Sequence, residues 1–239
     1  MINLAISGAQ GRMGQRITAL ALQDKSFKVR TLLEYKGHPL AGKTISGVFL
    51  STDNAVLKGN KVLIEFTLPD ATIQNLEACV KNKVNMVIGT TGLSPKQIKK
   101  IKAASKKIAI VFSSNMSVGV NLVFKLVGLA GTTTGKNYTI NIVEAHHIHK
   151  KDAPSGTAKT LAEVAEASTK QKVQEIKSIR EGEIIGDHDV IFESGEDIIT
   201  IRHHAKNRDI FAKGSLVAAK FLAKKKLGLY NMQDVLGLR

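Results

Sequence analysis

The chain has 239 residues, 43% of them hydrophobic, which suffices to bury one large or two modest cores and excludes global disorder. Its net charge of +15 attracts anions. The lysines, however, are spread over helical stretches such as Ser94–Lys107, aromatic residues make up 5%, tryptophan is absent, and neither zinc-finger spacing nor an aromatic RNA-binding motif occurs, so nucleic acid is not an expected partner.

No charged-then-apolar leader precedes Met1–Leu4 and no apolar run approaches the roughly 20 residues of a membrane span, so a cytoplasmic protein without membrane attachment is expected. Ile2–Ser7 is β-rich and stops at GAQGRMG, after which Ile17, Leu20 and Ala21 recur at helical spacing. The pattern is strand, glycine turn, helix. Gly8, Gly11 and Gly14 would permit the tight turn, the approach of a pyrophosphate to backbone N–H groups, and close packing of helix on strand. Phe27–Leu33 reads as the next strand and ends at Glu34, 20 residues beyond Gly14, where an acid can accept hydrogen bonds from an adenosine ribose. Tyr35 follows it where an arginine would favour a 2′-phosphate, while Lys36 and Lys43 remain able to reach one. NADH and NADPH both stay open as cofactor.

Strand and helix then alternate. KVLIEF (61–66) ends at TLPDAT and leads into a helix through Ile73, Leu76 and Val80, in which the single cysteine, Cys79, reads as a small buried hydrophobe. VNMVIG (84–89) ends at TTG, and Ser94, Pro95 and Gln97 carry the signature of a capped helix start. KIAIVF (107–112) ends at SSNMS. Repeated βα units of this kind specify a parallel, doubly wound sheet whose ligand rim lies at the strand C-termini. Gly8, Ala9, Gln10, Gly11, Arg12, Met13 and Glu34 are therefore candidate cofactor contacts. Gly89, Thr90 and Thr91, with Ser113, Ser114, Asn115 and Met116, are candidates for the nicotinamide side.

From about residue 118 the texture changes. A buried helix (NLVFKLVGLAG) is followed by YTINIVEA, alternating as a half-buried strand, and later by a stretch from Ser178 to Lys206 with the turns and alternation of antiparallel strands. The expected fold is α/β: a Rossmann-type parallel-sheet nucleotide domain and a smaller α+β domain with a mixed sheet. FAKGSLVAAKFLAKKK returns to helix, and LGLYNMQDVLGLR is expected to pack back on the first domain.

Between these elements lies EAHHIHKKDAPSGTAKT, Glu144 to Thr160. Asp152–Thr157 leads into a helix marked by Ala158, Leu161, Ala162 and Ala165, and a helix start offers unpaired N–H groups and the positive end of a dipole. Gly156 adds no side chain there to block a carboxylate or phosphate. Capping by Ser155 or Asp152 alone would explain the turn equally well. Three histidines and a lysine precede it. His146, His147, His149 and Lys150 allow acid–base, structural or metal roles, the last opposed by neighbouring cations and by the lack of an evident carboxylate or cysteine set, so no metal is expected.

GAQGRMG, the Glu34 strand end, FTLP, GTTG, SNMSVGVN, EAHHIHKKDAPSGTA and GLYNMQDVLGL together resemble the 4-hydroxy-tetrahydrodipicolinate reductase family, also called dihydrodipicolinate reductase. The HHxxKxDAPSGTA block is specific and the glycine loop is not. The resemblance implies NAD(P)H-dependent reduction of a cyclic-imine dicarboxylate with loss of water, in lysine biosynthesis by the diaminopimelate route. It implies His146 as proton donor or acceptor, Lys150 as proton donor, and His147, Gly156 and Thr157 as holders of substrate carboxylates. It also implies a homotetramer, a dinucleotide-binding domain of residues 1–117 and 208–239, and a substrate-binding and oligomerisation domain of residues 118–207. Three positions depart from the family pattern: Tyr35 for an arginine, Met116 for an aromatic residue, and Glu65 for an aspartate.

Overall fold

The structure, a computed structural model, describes residues 1–238; Arg239, the end of the expected nucleotide domain, lies outside the described residues. The chain divides into two compact units, Met1–Ser117 with Phe211–Gly237, and Val118–Ile210.

The first unit opens with β1 (Ile2–Ser7), α1 (Arg12–Gln23) and β2 (Phe27–Leu33), followed by β3 (Thr44–Ile45) and β4 (Val48–Ser51). It continues through β5 (Val62–Glu65), α2 (Pro69–Asn82), β6 (Asn85–Ile88), α3 (Pro95–Ala104) and β7 (Ala109–Phe112). The small hairpin of β3 and β4, turning at Gly47 with φ 81°, was not expected, because strands of two and four residues carry too little alternation to be read. β4 nonetheless extends the sheet by pairing in parallel with β2.

The apolar runs of these strands are continuous because both faces are buried. Leu4, Ile6 and Ile64 pack with Ile17 and Ala21 on one side, while Ala5, Leu63, Met86 and Ile110 pack with Leu76, Cys79 and Ile101 on the other. Each such fully buried leucine or isoleucine stabilises the fold by about 1.5–3 kcal/mol. β1 lies between β2 and β5, with Ser7 level with both Leu33 and Glu65. The strand order reverses at that point, so the loop after β1 opens into the crevice of the sheet.

The second unit comprises α4 (Val118–Thr134), β8 (Thr139–His146), α5 (Gly156–Thr169), β9 (Glu175–Arg180), β10 (Asp187–Glu193) and β11 (Ile198–His204). Its sheet has the order β11-β10-β8-β9. β9 runs parallel to β8 rather than antiparallel, because α5 crosses over between them, while β10 and β11 pair antiparallel. The chain then returns through α6 (Asp209–Leu222), β12 (Gly228–Tyr230) and α7 (Met232–Leu236). β12 adds to the first sheet beside β7, completing the order β12-β7-β6-β5-β1-β2-β4-β3.

α4 and α5 cover one face of the smaller sheet, where Ile140, Ile142, Val190 and Phe192 meet Phe124, Val127, Leu161 and Ala165. Side chains alternate along a strand, so Glu144 and His146 continue the inward row that Ile140 and Ile142 begin. The register sets His188 and Ser178 level with Glu144, and Arg180 level with His146. The inward face is thus apolar over one half and ionisable over the other.

Candidate active site

The glycine loop of the first unit is shaped by close backbone approaches. Gly8 has φ +69°, and a Cβ there would lie 2.3 Å from the Phe66 carbonyl oxygen; one at Gly14 would lie 2.0 Å from the Gly8 carbonyl oxygen. Gly8 and Ala9 donate their N–H groups to the Leu33 carbonyl, and Gln10 N–H donates to Glu34 Oε1 at 2.7 Å. These amides are spent within the fold. Gly11 caps α1 without a side-chain hydrogen bond, leaving the first-turn amides of Arg12 and Met13 without intrahelical partners.

Beside the loop lies a cavity of about 740 Å³ lined by Gly8, Gly11, Glu34, Tyr35, Lys36 and His38 among others. It has the size of a small-molecule site. Glu34 is half-buried, and its second oxygen accepts the Tyr35 N–H at 3.3 Å, which aims the carboxylate into this wall; its lone pairs are not exhausted by these two bonds.

The remaining rim candidates divide into those turned inward and those left open. Thr90 is buried, its Oγ1 accepting from Thr67 N–H and from the Thr72 hydroxyl. Gly89 is glycine because a Cβ would strike the Phe66 ring at 2.2 Å. Met116 belongs to the core, and Asn115 Oδ1 accepts the Ser117 N–H. Ser113 Oγ bonds the Asn115 carbonyl, while Thr91 and Ser114 are exposed. Below the rim Glu65 is fully buried; burial pushes its carboxyl up, against hydrogen bonds from Thr67 and Asn75.

In the second unit the histidine block is not a uniform cluster. His146 is buried at the end of β8, and His147 and Lys150 are half-buried in the following turn. His149 points away, exposed, 3.6 Å from Glu183. Lys150 Nζ donates to both oxygens of Asp152, at 2.7 and 2.9 Å. α5 begins at Gly156, capped by Ser155, whose hydroxyl accepts the Ala158 N–H at 3.2 Å. Thr157 is buried and Gly156 exposed, with nothing within 4 Å of where its Cβ would be. Inside the fold nothing demands a glycine there.

His146 Nδ1 is hydrogen-bonded to Glu144 Oε2. Glu144 Oε1 in turn accepts from Arg180 Nη2 at 2.8 Å and from the Ser155 N–H at 3.3 Å, and the same Nη2 reaches the Asp152 carbonyl at 2.6 Å. His188 sets its ring edge-on to His146, centroids 5.2 Å apart, and its Nε2 lies 3.3 Å from Ser155 Oγ. Burial pushes the Glu144 carboxyl up, but Arg180 and His146 together carry it below the ordinary range. Burial pulls His146 down, against the pull of Glu144 upward and with Lys150 and Arg180 adding to the fall. His188 is pulled to about 3, chiefly by burial.

Family models match nearly the whole chain: "Dihydrodipicolinate reductase, N-terminus" over residues 2–116 and "Dihydrodipicolinate reductase, C-terminus" over residues 119–236. This chain belongs to the dihydrodipicolinate reductase family. It is 39% identical over 265 positions to the 4-hydroxy-tetrahydrodipicolinate reductase of Nitrosospira multiformis, covering 100% of this chain and 98% of the relative. It is 41% identical over 268 positions to that of Geotalea uraniireducens, covering all of both. Both alignments exceed the 239 residues present, so these reductases carry insertions that this chain lacks. In fold it is similar to the dipicolinate-bound dihydrodipicolinate reductase of Paenisporosarcina sp. TG-14, with a TM-score of 0.82 at 23% identity over 98% of this chain and 99% of that one.

Sequence alone did not single out Glu144, Arg180 or His188 as site candidates, and offered Asp152 only as a cap. Glu144 and Asp152 stood within the histidine stretch itself, and the two-residue spacing of Glu144 and His146 on an alternating strand was the available signal for the first. Arg180 and His188 come from other strands. Glu144 also places a carboxylate beside the histidines: it, His146 and His188 offer atoms within 4.8 Å of one another. Arg180 engages one of its oxygens and His146 the other.

Proposed function

We propose that this chain reduces 4-hydroxy-tetrahydrodipicolinate to tetrahydrodipicolinate with loss of water, using NADH or NADPH, in the diaminopimelate route to lysine. The observation that carries the proposal is a buried His146 and a half-buried Lys150 beside the open start of α5, in a chain of this family. The reaction consumes one hydride and one proton, and the substrate's hydroxyl leaves as water. The bound nicotinamide supplies the hydride.

His146 takes up or delivers a proton, and Lys150, steadied by Asp152, donates one. Gly156 and Thr157 hold a substrate carboxylate at the α5 N-terminus, with His147 on the other side of the turn. The first-turn amides of Arg12 and Met13 receive the dinucleotide phosphates, Gly8, Ala9, Gln10 and Gly11 shape the cradle, and Glu34 receives the adenosine ribose. Gly89–Thr91 and Ser113–Met116 form the nicotinamide side, contributing backbone wherever the side chain is turned inward. We further assign residues 1–117 and 208–239 to cofactor binding and residues 118–207 to substrate binding and assembly as a homotetramer. A cytoplasmic location accords with the finding that no helix among the described residues is long and apolar enough to cross a membrane.

The test is oxidation of NADH and of NADPH in the presence of freshly generated 4-hydroxy-tetrahydrodipicolinate, with kcat/KM compared between the two cofactors. Absence of turnover by the folded protein with either one overturns the proposal. His146→Gln and Lys150→Ala are each expected to lower kcat about 100-fold or more while dinucleotide affinity, measured by fluorescence titration, changes less than about two-fold.

A further inference from the structure

We propose that Glu144 is the positioning residue for His146, holding the proton on Nδ1 so that Nε2 is the nitrogen through which this side chain exchanges a proton with substrate. The inference deepens the catalytic reading above and rests on it.

Glu144 and His146 are two residues apart on one strand and share its inward face, so β8 itself sets the distance between carboxylate and ring. The carboxylate is fully buried and every oxygen is engaged: Oε2 by His146 Nδ1, Oε1 by Arg180 and the Ser155 N–H. An ionised carboxylate only accepts hydrogen bonds, so the imidazole nitrogen facing it carries the hydrogen. Arg180 keeps that carboxylate ionised and immobile, and through the Asp152 carbonyl ties it to the loop bearing Lys150. The same Glu144 oxygen holds the Ser155 N–H, immediately before α5. One buried acid thus sets the ring of His146 and anchors the start of the proposed carboxylate site.

The opposite ring nitrogen faces Gly186. A Cβ on that glycine would lie 3.1 Å from His146 Nε2, close enough to displace the ring by a few tenths of an ångström. Gly186 does not lie at positive φ, so its lack of a side chain is not explained by backbone conformation. Charged and titratable groups face His146 from several elements: Glu144 on β8, Arg180 on β9, His188 and Asp187 on β10, Glu181 after β9, and Lys150 in the loop. Of these, Glu144 favours the imidazolium, and Lys150 and Arg180 oppose it.

The decisive measurement uses wild-type protein labelled with ¹⁵N-histidine. Long-range ¹H–¹⁵N correlation spectra report the tautomer of neutral His146, assigned by its loss in His146→Gln. The expected result is protonated Nδ1 and unprotonated Nε2; protonation at Nε2 overturns the proposal, whatever the activity. The second arm is Glu144→Gln, which preserves shape and removes charge. His146 should then titrate at lower pH, because the carboxylate that favours its protonated form is gone. kcat should fall roughly 100-fold with KM for the cofactor within about two-fold. An unchanged His146 titration, or kcat within about two-fold of wild type, overturns the assignment. Gly186→Ala should lower kcat about 10-fold without lowering the unfolding midpoint, a loss that a purely structural role for the glycine would not produce. The tautomer measurement stands even if Glu144→Gln fails to fold, and wild-type protein that shows the expected tautomer but no turnover refutes the functional reading alone.

Discussion

His188 is a histidine kept from titrating near neutrality. Its pKa is depressed from 6.5 to about 3, first by burial and then by repulsion from His146, and its Nδ1 has no hydrogen-bond partner. The unfolded chain takes up a proton there as pH drops through about 6.5, while the folded chain resists until about 3. Stability is therefore fully present above the unfolded value and is lost as pH falls through that window. From pH 7 to pH 5 this residue should remove about 2 kcal/mol, and His188→Gln should abolish that part of the loss. Urea unfolding of both proteins at the two pH values checks this; equal acid losses would contradict it. His146, Lys150, Gly156 and Thr157 were readable as a candidate site because they fall within one short stretch of chain. Glu144 was in plain view, but the role proposed for it depends on which face of β8 it occupies. His188 and Arg180 were invisible as site residues, since only strand register brings them level with Glu144 and His146.

The elements themselves followed local rules closely. β1 and β2 end where glycine and acid signals say they should, and α3 begins with the expected reciprocal cap, in which Ser94 and Gln97 bond each other's backbone. The turn between β1 and α1 depends on Gly14 as much as on Gly8. A Cβ at Gly14 would collide with backbone at 2.0 Å, where no side-chain adjustment can relieve it. Gly14→Ala should cost about 2 kcal/mol or more and weaken dinucleotide binding, because α1 must retreat from the loop that it closes. Thermal unfolding and cofactor titration measure the two effects, and a variant equal to wild type in both would refute this reading of the turn. β9 shows where local rules stop. Its alternation identifies a strand but not its direction, which the α5 crossover determines.

At the scale of the whole molecule, a charge of +15 should draw an anionic substrate and cofactor toward the protein. Raising KCl from about 0.05 M to about 0.5 M should lower kcat/KM several-fold, with kcat changing much less, because screening acts on encounter rather than on the buried His146. A kcat/KM that does not respond to salt would show the lysines to be irrelevant to binding. Sequence by itself determined the βα alternation, the glycine turn with its acid, and the stretch of histidines, lysine and helix start that resembles one reductase family, since each of these is written in residues close together along the chain. Tertiary structure decided which of those residues are spent on the fold, as with the amides of Ala9 and Gln10, and which side chains complete the histidine centre. Glu144, Arg180 and His188 lie on three different strands. The physical reason is that a buried charge needs partners, and a partner such as Arg180 reaches Glu144 through strand register rather than through any local stretch of sequence.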